Sequence, residues 1–195
     1  MKNILILILI IFLTGAGFAF AFSNNKISNK GALNMNKKTL VVYFSATGNT
    51  KKVANNLAKA IGSDIYEIKP LKPYSNADLD WRNQNSRSSV EMQNHNSRPE
   101  IVNDKLSVSD YDTIFVGFPI WWYIAPTIVN SFLEKHDFSG KTIVLFATSG
   151  GSGFGNTVEN LKPSVSDSAK IIQGRVFSPY ITVDELKKWV ENLNL

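Results

Sequence analysis

The chain has 195 residues, 44% of them hydrophobic and 19% charged, with no repeat or low-complexity tract, so it has room for one compact domain with a sizeable core plus an appendage. The absence of cysteine excludes disulfides, thiolate metal sites, cysteine-ligated iron–sulfur clusters and thiol nucleophiles, so any redox chemistry must come from a bound cofactor. The net charge of +5 resides in a tail: Lys2, Lys26, Lys30, Lys37 and Lys38 precede residue 39 with no acidic residue among them, the remainder is formally neutral, and no nucleic-acid partner is expected.

Residues 1–22 begin with Lys2, continue through the apolar run Ile4–Leu13 and reach Ala19-Phe20-Ala21, the pattern of a secretory signal peptide cleaved after Ala21. The expected location is therefore exported, periplasmic or extracellular. The alternative is an uncleaved anchor with membrane association through residues 4–22, which approach the roughly 20 residues of a span. Residues 23–38, rich in Asn, Ser and Lys, read as a flexible basic linker, and residues 39–195 as the folded domain.

From Leu40 strand and helix patterns alternate. Leu40–Phe44 is apolar throughout, as a strand covered on both faces should be. A helix follows over 48–61, with Val53, Leu57 and Ile61 toward the sheet and Lys51, Lys52 and Lys59 toward water, and Gly62 ends it. A second strand spans 64–68 and is stopped by Pro70 and Pro73. Residues 70–110 form a long polar excursion with a short helix near 88–93, and His95 within it reads as a solvated surface residue. Strands follow at 113–118, 142–147 and 170–173, and helices at 126–135, 157–161 and 183–193, the last capped by Thr182. His136 reads as a helix-end residue. Five strands separated by helices describe a doubly wound α/β domain with a parallel sheet, in which ligands bind beyond the carboxyl ends of the strands.

Three unusual loops fall at such ends. The first, Ser45-Ala46-Thr47-Gly48-Asn49-Thr50, offers three hydroxyls and a helix N-terminus to an anion. Its single glycine and lack of lysine fit neither the P-loop nor the dinucleotide fingerprint, so a mononucleotide-like phosphate is the ligand expected. The second, Pro119-Ile120-Trp121-Trp122-Tyr123, is an aromatic cluster suited to stacking on a flat π-system, with one of the two tryptophans expected to pack under the following helix. The third, Thr148-Ser149-Gly150-Gly151-Ser152-Gly153, lets backbone N–H groups approach a polar ring edge.

These three loops, in this order over most of residues 39–195, resemble those of flavodoxins: a phosphate loop and two loops flanking the isoalloxazine of FMN. The resemblance implies a five-stranded parallel sheet in the order 2-1-3-4-5, FMN as cofactor, electron transfer at the flavin, and a redox donor and acceptor that the sequence does not name. It also assigns an aromatic ring of Trp121, Trp122 or Tyr123 to the flavin. Two features depart from common flavodoxins. Phe154 is the only aromatic near the second flavin loop, where a tyrosine is usual, and the domain is neutral where theirs is acidic. The leading expectation is an FMN-binding electron carrier. The alternatives are an FMN-dependent NAD(P)H quinone or flavin reductase, with residues 70–110 forming part of a substrate pocket, and a non-redox binding module that retains the fold.

Overall fold

The computed structural model describes residues 38–103 and 105–195. The leader and linker expectations fall on residues 1–37, outside the described residues. Apolar β-branched and aromatic runs form the strands β1 (Thr39–Tyr43), β2 (Asp64–Glu67), β3 (Thr113–Pro119), β4 (Thr142–Thr148) and β5 (Lys170–Phe177). They pair in parallel as one sheet in the order β2-β1-β3-β4-β5, as the resemblance implied. The connecting helices are α1 (Asn49–Ile61), α2 (Arg87–Gln93), α3 (Thr127–Lys135), α4 (Thr157–Leu161) and α5 (Val183–Glu191). Among the described residues no helix is long and apolar enough to cross a membrane.

Strand alternation sends side chains to two cores. Val41, Tyr43, Phe115, Val144 and Phe146 point to one face, covered by Val53, Ala54 and Leu57 of α1 and by Leu186 and Val190 of α5. Val42, Phe44, Val116, Phe118, Ile143 and Leu145 point to the other, covered by Ile128, Val129, Phe132 and Leu133 of α3 and Leu161 of α4. The central strands β3 and β4 are buried on both faces, whereas β2 lies at the edge with Ile65 exposed. Thr182 caps α5 reciprocally: its hydroxyl accepts from the Glu185 N–H, and the Glu185 carboxylate accepts from the Thr182 N–H. His136 stands at the end of α3 with its ring against Phe132.

β5 runs four residues beyond the expected strand. The apolar pattern breaks at Gly174, but that residue is a bulge opposite the Leu145–Phe146 step and the strand resumes after it. A Cβ at Gly174 would stand 2.0 Å from the Leu145 carbonyl oxygen, so no larger residue fits.

The excursion between β2 and β3 is closed at its base. Pro70 and Ile101 form an antiparallel bridge, the Leu71 N–H donates to the Glu100 carbonyl (2.8 Å) and the Val102 N–H to that of Lys69 (2.9 Å). Its short helix α2 starts one residue earlier than expected, capped by the Ser86 hydroxyl accepting from the Ser89 N–H. Arg98 ties the far end to α3 through Glu134 (2.8 Å), and that hydrogen bond holds the Glu134 carboxyl below its ordinary range.

Candidate functional site

The loops after β1, β3 and β4 meet at one edge of the sheet, because three adjacent parallel strands end there. The Phe44 N–H donates to the Gly117 carbonyl (2.9 Å), tying the first loop to β3. The Ile120 N–H donates to the Thr148 carbonyl (2.8 Å), tying the second loop to the third. Thr50 and Thr148 bring their hydroxyl oxygens to 2.9 Å, linking the first loop to the third across 98 residues of sequence.

The first loop leaves hydrogen-bonding groups without side-chain partners. Gly48, at φ 86°, is the N-cap of α1 and has no side chain with which to cap it, and the first turn holds no acidic residue. The N–H groups at this end therefore have no side-chain partner. The Ser45 hydroxyl oxygen is buried without a hydrogen-bond partner, and so is that of Thr127 at the start of α3 on the same edge. A buried polar group left this way costs about 1–3 kcal/mol, which a ligand oxygen would recover. Thr47 and Asn49 are exposed, Ala46 is half-buried against the core, and Thr50 is buried at 1% exposure. The three expected hydroxyls are thus not equivalent. Thr50 lies beneath the loop, its hydroxyl engaged with that of Thr148 at 2.9 Å, and each hydroxyl can both donate and accept.

The aromatic loop is a tight hairpin. The Trp121 N–H donates to the Ile124 carbonyl and the Ile124 N–H to the Trp121 carbonyl, both at 3.0 Å. Between them Trp122 has φ 45° and Tyr123 φ 68°. Positive φ at both central residues is the type I′ turn, ordinarily made by Asn-Gly or Gly-Gly. Trp and Tyr there are strained by roughly 1–2 kcal/mol per residue. Gly155 makes the turn possible from the other side: a Cβ on it would stand 2.3 Å from the Tyr123 carbonyl oxygen.

The turn sorts its rings. Trp121 is the tryptophan that turns inward, packed against the core cluster to which α3 contributes; its ring lies 5.7 Å from Phe44 and 5.4 Å from Tyr74, in T-shaped arrangements. Trp122 and Tyr123 stand out at 42% and 67% exposure. The reason is the turn itself, since left-handed backbone at two successive residues turns both side chains away from the strand end that buries Trp121. Pro119 and Ile120 are half-buried and serve as the stem.

In the glycine loop, the Ser149 hydroxyl accepts from the N–H groups of Gly151 (3.1 Å) and Ser152 (2.7 Å), so those two donors are already engaged. A Cβ added at Gly150, Gly151 or Gly153 would meet nothing within 4 Å, which leaves open space beside the loop. Phe154 is buried at 6% exposure against Phe118 and belongs to the core, so it supplies no second wall. Its position follows from Thr157, whose N–H and hydroxyl both bond to the Phe154 carbonyl and fold the chain inward there.

The loop set, strand order and crossovers are those of one fold family, and the family model described as flavodoxin matches residues 38–193. The chain belongs to the flavodoxin family. Flavodoxin 1 of Salmonella typhimurium is 25% identical over 117 residues, which cover 55% of this chain and 47% of that protein, so the match spans about half the length of this relative. A proposed flavoprotein of Bacteroides eggerthii is 44% identical, with a TM-score of 0.76 over 82% of this chain and 99% of that one. One from Bacteroides uniformis is also 44% identical, with a TM-score of 0.74 over 80% and 98%. A flavoprotein of Lactobacillus acidophilus, solved in complex with FMN, is 26% identical, with a TM-score of 0.58 over 78% and 98%.

Within this flavodoxin, the sequence patterns did not point to three residues that shape the site. Gly155 lies beyond the glycine run, and Thr127 reads as an ordinary first helical residue. Tyr74 sits in the excursion, where no apolar period marks it. The Tyr-Ser-x-x-Asp spacing was the available signal for a local turn there: the Asp78 carboxylate accepts from the Ser75 N–H (2.9 Å) and hydroxyl (2.7 Å), and those bonds hold its carboxyl below the ordinary range. Among the described residues no group of His, Asp and Glu is placed to hold a metal ion.

Proposed function

We propose that the chain binds FMN at this edge and serves in electron transfer. The observation that carries the reading is the buried, partnerless Ser45 hydroxyl beside an uncapped helix start, on an edge where an exposed aromatic pair and an open glycine loop converge. Ser45, Thr47, Thr50 and the first N–H groups of α1 would hold the phosphate without a cation. Trp122 and Tyr123 would offer the aromatic wall, and Gly150 and Gly153 their unengaged backbone to the pyrimidine edge. FMN held there supplies one- or two-electron chemistry at its N5, and the protein's part is binding, orientation and exclusion of water. The FMN-bound flavoprotein of Lactobacillus acidophilus supports this cofactor.

Titrating the purified chain with FMN and with riboflavin tests it. Tight FMN binding with riboflavin much weaker is the expected result. Binding of neither flavin would sink the redox reading and leave the non-redox module. A second reading, an NAD(P)H-dependent quinone or flavin reductase with residues 70–110 forming part of a substrate pocket, draws support from the contact of Tyr74 in the long excursion with Trp121 of the aromatic loop. Fast NAD(P)H oxidation with quinone, without an added reductase, would select it over the carrier.

A further inference from the structure

The strained Trp122–Tyr123 turn is joined through Trp121 to a residue of the long excursion, Tyr74, whose own surroundings are unusually specific. α2 carries Arg87 and Glu91 one turn apart, paired at 2.6 Å with the two side chains only 20% and 12% exposed. Glu91 uses its second oxygen to accept from the Tyr74 hydroxyl at 2.5 Å. Arg87 reaches back to the Lys72 carbonyl (2.7 Å), with its guanidinium 4.0 Å from the centre of the Tyr74 ring. Burial first, and then the Glu91 carboxylate, push the Tyr74 phenol well above its ordinary pKa, so it stays protonated and donating.

Gripped at its hydroxyl and on one face, the ring turns its edge to the site. It meets Trp121 at 5.4 Å and 82°, and Phe44 at 5.8 Å and 61°, while Phe44 and Trp121 meet each other at 5.7 Å. The three rings form a closed set of edge contacts, and Trp121 is both a member of it and the first residue of the hairpin. Loss of one ring lets the indole tilt, and the two backbone bonds to Ile124 carry that tilt into the turn.

We propose that Tyr74, held by the Arg87–Glu91 pair of α2, is a positioning residue for the aromatic turn: it fixes Trp121 edge-on and thereby sets where Trp122 and Tyr123 stand in the site. The long excursion then has a defined task, which is to brace a turn whose own residues disfavour it. The inference rests on the FMN reading only for the flavin measurement below.

The test labels the four tryptophans of the full chain with 5-fluorotryptophan and assigns each fluorine resonance by its Trp→Phe variant. Tyr74→Ala should move the lines of Trp121 and Trp122 while Trp189, packed against Phe115 and Phe177 on the opposite face, stays in place. Tyr74→Phe, which keeps the ring and loses only the hydroxyl tether, should move them in the same direction by less. A Trp122 line that stays put in a folded Tyr74→Ala protein overturns the proposal. If Trp189 also moves, Tyr74→Phe decides the matter: it keeps the ring and its volume and removes the hydroxyl bond to Glu91, and an unmoved Trp122 line there overturns the proposal equally. In the flavin measurement, Tyr74→Ala should weaken FMN and riboflavin alike, by about tenfold, whereas a loss confined to FMN would place the effect at the phosphate and overturn it. Should the unaltered chain bind neither flavin, the FMN reading fails and the fluorine result still decides the role of Tyr74.

Discussion

The loop at residues 45–50 and the hairpin at 121–124 stand side by side and are made on opposite principles. In the first, each residue does what its type prefers: a glycine takes the left-handed position, hydroxyl residues surround it, and a helix start faces the ligand edge. In the second, a tryptophan and a tyrosine occupy positions that Asn-Gly would take without strain. The first needs no outside help for its backbone angles, although hydrogen bonds to Gly117 and Thr148 tie it to the neighbouring strands. The second is held by residues 47 positions earlier and about 30 later, Tyr74 and Gly155. A binding loop made of compliant residues needs little from its surroundings, whereas one that must present large rings at a tight turn is paid for by the rest of the fold.

The largest expected effect separates the two loops by ligand. Combining Ser45→Ala with Thr47→Val removes the two hydroxyls proposed to bond a charged phosphate. FMN binding should weaken by about 3 kcal/mol or more, roughly a hundredfold in Kd, and riboflavin binding should barely change. Equal losses for both ligands would show that the first loop does not serve a phosphate.

Next in size, Gly155→Ala places a methyl group against the Tyr123 carbonyl at a backbone φ of 46°. It should destabilise the protein by about 1–3 kcal/mol in urea unfolding, with both flavins losing affinity. Unchanged stability would mean that the hairpin yields freely, contrary to a braced turn.

Replacing Trp122-Tyr123 by Asn-Gly sharpens the contrast in the other direction. The strain is relieved, so stability should rise by about 1–2 kcal/mol, seen as a higher Tm, while FMN and riboflavin both bind less well. A lower Tm would show that packing of the two rings outweighs the backbone strain.

The smallest effect is a dependence on pH. The Tyr74 phenol has a raised pKa in the folded protein, so between its unfolded and folded values the native state keeps a proton that the unfolded chain has lost. Unfolding free energy should therefore be unaffected by this group below about pH 10 and fall as pH rises above it. Tyr43 and Tyr111 are raised as well, by burial and by a hydrogen bond to Asp64 respectively, so the slope is shared. Tyr74→Phe should make the alkaline limb shallower, and an identical slope would mean that the grip of Glu91 on Tyr74 is not maintained in solution.

Much of the fold was legible because parallel strands buried on both faces need apolar runs, and β1, β3 and β4 carry them between their end residues. The end of β5 was not, since a bulge glycine looks in sequence like a strand breaker and only the Leu145 carbonyl 2.0 Å from its missing Cβ explains it. In the site, the three loops and their meeting place followed from strand order. Which ring stands exposed did not, since Trp121 and Trp122 are chemically identical and only the positive φ at Trp122 and Tyr123 separates their directions. Phe154 shows the same limit: in sequence it is the only aromatic near the glycine loop, where a tyrosine is usual, and the inward fold at Thr157 is what buries it.

The sequence alone determined the α/β class, the alternation of strand and helix and the hydroxyl-rich first loop, because these depend on local periodicity and on residue type at a turn. The tertiary structure decided the orphaned Ser45 hydroxyl, the Thr50–Thr148 bridge and the inward turn of Trp121. It also decided the contacts of the excursion, since Arg87, Glu91 and Tyr74 come together only in the folded chain, which closes on itself at Pro70 and Ile101. Local preferences act within a few residues. A strained turn and a buried hydroxyl are settled by neighbours that arrive from far along the chain, and no periodicity records which neighbours those will be.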